Sequence, residues 1–587
     1  MIRAWKKLKV NSGVFLLYEL MFRTLLIFLF TTGCSNLIEF LLNFHGYSYV
    51  TQGNYVKFLM HPSSAIGLLL FCLLILFLIL YECSGLLLLF DAGDKGVRLS
   101  LSRLLFLSWN YSMNMLRKYP VKWIFYLLLC LPNLYLHLLA WEMERARFIH
   151  IVVKDICKKT GIPNFTGLMV VYFLVSVVFS TGLPFRIFGG EEEFLPGPIA
   201  FSVRKGKQLK NLFQTMFLQA RVFVVTELWY LLSVVICVFC IRRFRPVYRY
   251  VSDTLFYGSI LKLFLGFLIG FFGTVTILGH LYLVFREHRE ACICWEEAEP
   301  LQRERTITVV ALLLTAALML QEGSLFFPDT SDSQDYLEIT AHRGGAKFAP
   351  ENTMAAIRYS IDTKADFAEI DVQETKDGEI VLMHDNWLGR TTGKRKYIWD
   401  LEYKDLQELE AGRHFSRGFE GEPIPTLREV IRECKGKLRL NIEIKANGHN
   451  DDIVSRVLQI IREEGFTSHC VITSMDYQFL REIKELCPEV ITGYTLSMVY
   501  GRVEDMEAAD FYSVKHTFVN RRLVNRVHEM GKKICAWTVN KRPPIRKVID
   551  AGVDNVITDD PELVRKELMG EYDVIPGFIS LIKYMIQ

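Results

Sequence analysis

Residues 341–385 read AHRGGAKFAPENTMAAIRYSIDTKADFAEIDVQETKDGEIVLMHD. Two histidines, His342 and His384, bracket an Arg-Gly-Gly turn, a Glu-Asn-Thr step and an alternating acidic run. The run decides the fold. Successive side chains of a strand point to opposite faces, so Glu369, Asp371 and Gln373 share one face while Ala368, Ile370 and Val372 share the other. NIEIK repeats the pattern, with Asn441, Glu443 and Lys445 opposite Leu440, Ile442 and Ile444. In a closed barrel the apolar set meets the surrounding helices and the polar set faces the interior.

The same rhythm extends outward. Short β-rich runs fall at 337–342, 367–374, 379–385, 439–445, 470–476, 491–497, 511–516, 533–540 and 555–560, and amphipathic segments such as NTMAAIRYSIDTK and DIVSRVLQIIREEG separate most of them. Strand–helix alternation repeated in this way predicts a (β/α)₈ barrel of the TIM type over 337–587. EIVLMHD follows its neighbour after only the turn TKDG, which suits a local hairpin. Residues 386–430 form a long polar insertion, and long loops in compact domains are commonly functional covers.

Three carboxylates that converge near strand ends, Glu369, Asp371 and Glu443, cannot all stay ionised without a compensating cation. Hard oxygen ligands suit Mg²⁺ or Ca²⁺ rather than Zn²⁺. The plainer alternative has Glu369 and Asp371 in structural ion pairs with Lys445 and Arg343. His342 and His384 end two strands, where barrel enzymes place catalytic groups, and they suit a general base and a general acid near neutral pH. Arg343 offers a planar fork for a phosphate oxygen, and Gly344-Gly345 allows close backbone approach. Glu351-Asn352-Thr353 reads either as a capped helix start or as a support that holds Arg343. Trp537 is either a wall for substrate or barrel filling. His414, His449, His469, His516 and His528 read as surface residues.

At 587 residues the chain is too long for one ordinary domain. A net charge of +4 gives no case for nucleic-acid binding, and the basic residues are scattered around apolar blocks. Of thirteen cysteines, the four in the soluble half (Cys434, Cys470, Cys487 and Cys535) show no metal-ligand spacing, and no second pair completes a zinc site with the Cys292-x-Cys294 pair.

Residues 1–323 read as an α-helical multi-span membrane domain, followed by a linker at 324–336. A hydrocarbon core about 30 Å thick takes about twenty apolar residues as helix. Seven candidate spans lie near 14–34, 64–90, 121–141, 167–187, 222–241, 255–285 and 306–323. The first reads as a retained span, because no small-residue cleavage site follows it. Arg3, Lys6, Lys7 and Lys9 place the N-terminus in the cytoplasm, and seven spans then put the barrel outside. The basic run RRFRPVYR at 242–249 runs against that arrangement. Residues 95–118 are amphipathic and either lie in the inner membrane surface or pack on the spans. Glu19, Arg23, Glu82, Glu227 and His280 mark polar span interiors, and Glu19 and Arg23 are spaced to pair on one helix face.

HRG with ENT nearby, EIDVQ, MHD, IPTL, NIEIK, AWTVN and the closing ITDDP form an ordered series across most of 337–570. As a series it resembles the glycerophosphodiester phosphodiesterase family. The resemblance implies a divalent metal on Glu369, Asp371 and Glu443, catalysis by His342 and His384, and phosphate contacts from Arg343 and Lys445. It also implies hydrolysis of a glycerophosphodiester, from deacylated phospholipids, lysolipids or glycerol-phosphate polymers, to glycerol 3-phosphate and an alcohol. The apolar half is similar in order and hydropathy to the multi-span domain that precedes such barrels in some bacterial members. The competing expectation makes that half a lipid-handling or transport module with the barrel as accessory.

Overall fold

The computed structural model describes residues 2–29, 33–45, 49–145 apart from Gly53 and Tyr119, 165–188 apart from Thr181, 271–287, 337–569 apart from Asn450 and Asp451, and scattered positions between 213 and 236. The chain divides into two compact units. One comprises 1–41, 61–237 and 257–324; the other comprises 42–60, 238–256 and 325–587.

The described residues of the first unit are largely helical. Pro62–Asp94 starts with a proline in its first turn, where the missing N–H costs nothing, and then runs without a charged, amide or hydroxyl side chain from Ala65 to Leu80. Its 33 residues span about 50 Å, more than the hydrocarbon core of a bilayer. Among the described residues it is the one helix both long and apolar enough to cross a membrane; Val121–Leu134, Val171–Ser180 and Phe271–Arg286 are apolar but shorter. Ser12–Phe28 covers most of the first predicted span. The predicted span at 306–323, much of those at 222–241 and 255–285, and Glu227 lie outside the described residues.

Charges buried among apolar helices must be paired. Glu19, Arg23 and Glu82 are buried, with Arg23 Nε 3.3 Å from Glu19 Oε2 and Arg23 Nη2 2.9 Å from Glu82 Oε1. The expected pair on one helix face is therefore present, and a second helix joins it. Leu101–Lys118 packs on Pro62–Asp94: Tyr81 Oη donates to Leu105 O at 2.7 Å and Ser112 Oγ to Ser84 Oγ at 3.2 Å.

In the second unit the strands are β1 (Tyr49–Thr51), β2 (Glu338–Ala341), β3 (Phe367–Glu374), β4 (Ile380–Leu382), β5 (Arg439–Ile444), β6 (Cys470–Ser474), β7 (Ile491–Leu496), β8 (Val499–Gly501), β9 (Phe511–Lys515), β10 (Lys533–Trp537) and β11 (Asn555–Thr558). A nine-stranded sheet runs β2-β11-β10-β9-β7-β6-β5-β3-β4, and β2 also pairs with β3. Without β4, which is antiparallel to β3, the remaining strands close into a parallel ring of eight. That is the predicted barrel, and β4 is the predicted hairpin.

Helices follow β2, β5, β6, β9, β10 and β11, while Leu427–Cys434 follows the insertion. The β7-to-β9 connection has no α-helix; β8 stands there and pairs antiparallel with β1. Within the insertion, Leu388, Ile398, Leu401, Leu406, Ala411 and Ile424 pack with Val381 and Met383 into a small core of their own. The predicted insertion at 386–430 is thus folded on a core of its own as far as Thr426, and Thr426 and Glu429 cap the next helix, Leu427–Cys434, in a reciprocal box.

The barrel interior is not uniformly polar. β3 and β5 bring in polar side chains, but Phe511, Cys535 and Ile557 from β9, β10 and β11 cluster with Val471 and Trp537. A hydrophobic fill on that side leaves the polar groups concentrated at β2, β3 and β5.

Candidate active site

Register builds the acidic group. In the parallel pair β3–β5, Glu369 lies opposite Asn441 and Asp371 opposite Glu443, so both strands turn carboxylates to the same side. Glu369, Asp371 and Glu443 are buried, and one oxygen from each lies within 4.8 Å of the others. Lys445, the next inward position on β5, puts Nζ 2.6 Å from Asp371 Oδ1 and 2.5 Å from Glu443 Oε1. Arg343 Nε is 3.6 Å from Asp371 Oδ2. Of the ion pairs foreseen as the plainer alternative, those of Asp371 with Lys445 and Arg343 are therefore present alongside the acidic cluster.

Electrostatics follow from that packing. Burial, then the charges of Asp371 and Glu443, push Glu369 up to about 7 against the pull of His342. Burial also opposes ionisation of Asp371, but Lys445, His384 and Arg343 outweigh it and hold this carboxyl below the usual range. Burial works against the Lys445 ammonium too; Asp371 and Glu443 more than offset it and keep Lys445 charged. A cluster of buried hard-oxygen donors in which one acid retains its proton to near neutrality is short of positive charge. That donor set fits a divalent cation of the Mg²⁺ or Ca²⁺ kind.

The Arg-Gly-Gly turn supplies the wall. Arg343, Gly344 and Gly345 all take positive φ, at 50°, 80° and 98°. The sharp reversal aims the Arg343 N–H at Glu369 Oε2, 2.7 Å away. A Cβ on Gly344 would stand 2.7 Å from the Ala356 methyl, so the helix Met354–Asp362 can press on the turn only because glycine is there.

Both readings of Glu351-Asn352-Thr353 hold, on different residues. Thr353 caps the helix by accepting from Ala356 N, and Glu351 Oε1 accepts from Arg343 Nη1 at 2.9 Å. Arg390, from the insertion, also donates to Glu351, at 2.6 and 2.8 Å. Asn352 does something the sequence reading missed. Its Nδ2 donates to Asp371 Oδ2 at 2.8 Å and its Oδ1 accepts from Asp371 N at 3.0 Å, clamping that carboxylate.

Two further residues went unnoticed. His342 Nδ1 lies 2.6 Å from Asp559 Oδ1, and His384 Nδ1 lies 2.7 Å from Asp385 Oδ1. Arg390 donates in turn to Asp385, and Asn540 to Asp559. The MHD and ITDDP motifs contained these acids, but only the closed ring brings Asp559 beside His342. With Nδ1 engaged by a carboxylate, each imidazole has Nε2 left for other chemistry.

Trp537 donates its indole N–H to Ser513 O at 2.9 Å and packs on the apolar cluster, which fits the filling alternative. His414, His449, His469 and His528 are exposed and His516 half-buried, with His449 stacked on Trp399.

A family model described as the glycerophosphoryl diester phosphodiesterase family matches residues 342–563, and one described as the membrane domain of glycerophosphoryl diester phosphodiesterase matches residues 1–320. A glycerophosphodiester phosphodiesterase of Caldanaerobacter subterraneus is 37% identical over 239 residues, 39% of this chain and 98% of that protein. The Bacillus subtilis protein YhdW is 34% identical over 235 residues, 39% of this chain and 97% of that protein. Among solved structures, an Oleispira antarctica phosphodiesterase in complex with the product sn-glycerol-3-phosphate is 26% identical with a TM-score of 0.37, covering 40% of this chain and 96% of that one.

Proposed function

Because the chain belongs to the glycerophosphoryl diester phosphodiesterase family, we propose that it is a membrane-anchored, metal-dependent hydrolase that cleaves glycerophosphodiesters to glycerol 3-phosphate and an alcohol. One observation carries the reading: three buried carboxylates within 4.8 Å of one another, beside two imidazoles each turned by its own carboxylate.

Glu369, Asp371 and Glu443 would hold the divalent cation, which would offset negative charge on the phosphoryl oxygens. The chain's own residues do the rest. Arg343, steadied by Glu351, presents N–H groups to a phosphate oxygen, and Lys445 adds a second positive charge at the end of β5. One imidazole Nε2 takes the proton of the attacking oxygen, a water or the glycerol hydroxyl next to the phosphate. The other gives its Nε2 proton to the departing alcohol oxygen as the bond from phosphorus to that oxygen breaks.

The cation is Ca²⁺ or Mg²⁺. Substrates are deacylated phospholipids, lysolipids or glycerol-phosphate polymers. The apolar half crosses the plasma membrane about seven times, with the N-terminus in the cytoplasm and the barrel outside. Arg3, Lys6, Lys7 and Lys9, ahead of the apolar helix Ser12–Phe28, support that orientation.

The test is release of glycerol phosphate by purified protein carrying His342→Ala or Glu369→Ala. Loss of turnover by two or more orders of magnitude in both is expected; undiminished turnover in both overturns the assignment.

A further inference from the structure

The connection after β7 is where the barrel's regular alternation fails, and a segment from the N-terminal half fills the place. β8 pairs with β1 in register Tyr49↔Gly501, Val50↔Tyr500 and Thr51↔Val499. β1 lies between the helices Cys34–His45 and Pro62–Asp94 in sequence, a few residues before the helix long enough to cross a bilayer.

The contact is built from side chains as well as backbone. Gln52 Nε2 donates to Thr495 O at 2.7 Å, and Gln52 Oε1 accepts from Ser497 N at 3.1 Å. One carboxamide thus satisfies both backbone groups at the C-terminal end of β7, as a neighbouring strand would. Thr51, buried, shares a hydrogen bond of 3.0 Å with the Tyr494 hydroxyl. Tyr49 meets Tyr477 edge-on at 6.3 Å. Asn54 locks the strap's own turn, accepting from Thr51 N at 2.7 Å and donating to Tyr49 O at 3.0 Å. Val50, Tyr55 and Phe58 are buried.

Every barrel group involved sits at one end. Tyr494, Thr495 and Ser497 are at the C-terminal end of β7, and Tyr477 opens the helix that follows β6. That end of a parallel barrel carries the catalytic face, and His342 follows β2 at the same end. The strap therefore forms rim on the side of the ring away from β2 and β3.

We propose that Gln52 is a positioning residue of the catalytic rim, and that Tyr49–Gln52 and Asn54 fix the β7–β8 edge so that a diester anchored in the bilayer by an acyl chain on its glycerol half enters the mouth in the productive orientation. This rests on the hydrolase reading above. A diester free in water reaches the site from any direction and does not need that edge held; a lipid-borne one arrives constrained.

The experiment uses the full chain in phospholipid vesicles with two probes, soluble glycerophosphoethanolamine and vesicle-borne lysophosphatidylethanolamine. Opposed residues of an antiparallel pair have Cα atoms about 4.5–5.5 Å apart, inside the span a disulfide accepts. The double variant Val50→Cys/Tyr500→Cys is therefore expected to cross-link on oxidation, while either single variant does not. Gln52→Ala removes both carboxamide bonds. Its kcat/KM on the vesicle-borne probe falls by on the order of fivefold or more, through KM, with the soluble probe unchanged. Adding the oxidised cysteine pair to Gln52→Ala restores the vesicle-borne rate. Absence of the cross-link, equal losses on both probes, or no loss on either overturns the inference alone. If the double-cysteine variant cross-links but the wild-type protein hydrolyses neither probe, the assigned reaction is overturned and this inference with it.

Discussion

His342 and Asp559 come together from opposite ends of the barrel sequence, Nδ1 to Oδ1 at 2.6 Å, because β2 and β11 are neighbours where the ring closes. Burial lowers the affinity of His342 for a proton, but Glu369 and Asp559 reverse that and raise its pKa above the ordinary value. Removing the charge in Asp559→Asn leaves fewer groups favouring the imidazolium, so the pKa of His342 falls. Whichever limb of the pH–rate profile belongs to His342 then moves toward acid. Turnover drops by on the order of 10²-fold as the imidazole loses its fixed tautomer. A pH–rate profile of the variant measures both; an unmoved profile would show that Asp559 neither orients nor charges the ring.

Metal binding to the stripped protein depends on pH through Glu369. A carboxyl pushed up to about 7 keeps its proton below that pH, and an incoming cation has to expel it. The apparent dissociation constant for Mg²⁺ or Ca²⁺ therefore falls about tenfold per pH unit between pH 5 and 7 and levels off above. Calorimetric titration after chelator treatment gives the slope. Glu369→Gln abolishes tight binding at every pH. Binding that ignores pH across this window contradicts the assignment of Glu369 as a ligand.

The barrel and its acidic group were legible because they rest on local periodicity. Alternation in FAEIDVQE and NIEIK fixes which side each carboxylate faces, and parallel pairing does the rest. Asp559 and the clamp by Asn352 were not legible, since neither pairing has a local signal: one depends on ring closure, the other on a residue at φ 56°. The strap was hidden for the same reason. Tyr49 and Gly501 are far apart in sequence, and the run YVTQG contains nothing that announces a strand partner. Within the described residues the apolar half was legible as helices, but hydropathy alone overlooked Glu82 as the second partner of Arg23.

Asn352 can be tested without disturbing the backbone. It occupies the left-handed region, which glycine adopts freely, so Asn352→Gly keeps the turn and deletes both bonds to Asp371. With the carboxylate no longer clamped, metal affinity falls by about 10- to 100-fold. Asn352→Asp sets a second negative charge against Asp371 and is expected to weaken activity further at neutral pH. Titrating activity against added cation separates the cases: excess metal rescues Asn352→Gly if the clamp acts through the ligand. A variant that binds metal as tightly as the parent would rule the clamp out.

Gly344→Ala probes the turn that aims Arg343. Two costs add at this position. The backbone sits at φ 80°, where an L residue is strained by about 1–2 kcal/mol. The new methyl would also approach the Ala356 methyl to 2.7 Å, with Ala356 backbone atoms close behind, so relief requires the helix Met354–Asp362 to back away. That helix carries Thr353 at its cap and, just before it, the residues that hold Arg343 and Asp371. The displacement therefore reaches both Arg343, the proposed phosphate-binding fork, and Asp371, a proposed metal ligand, and the expected loss is about 2–4 kcal/mol of barrel stability together with a larger fall in kcat than in substrate affinity. The double variant Gly344→Ala/Ala356→Gly removes the methyl contact but neither the strain nor the close approach to the Ala356 backbone. Ala356→Gly alone costs about 1 kcal/mol of helix stability, so the reference is that single variant. A smaller loss from Gly344→Ala in its background, read by chemical denaturation, assigns the difference to the methyl contact, whereas an equal loss would mean that the methyl contact contributes nothing.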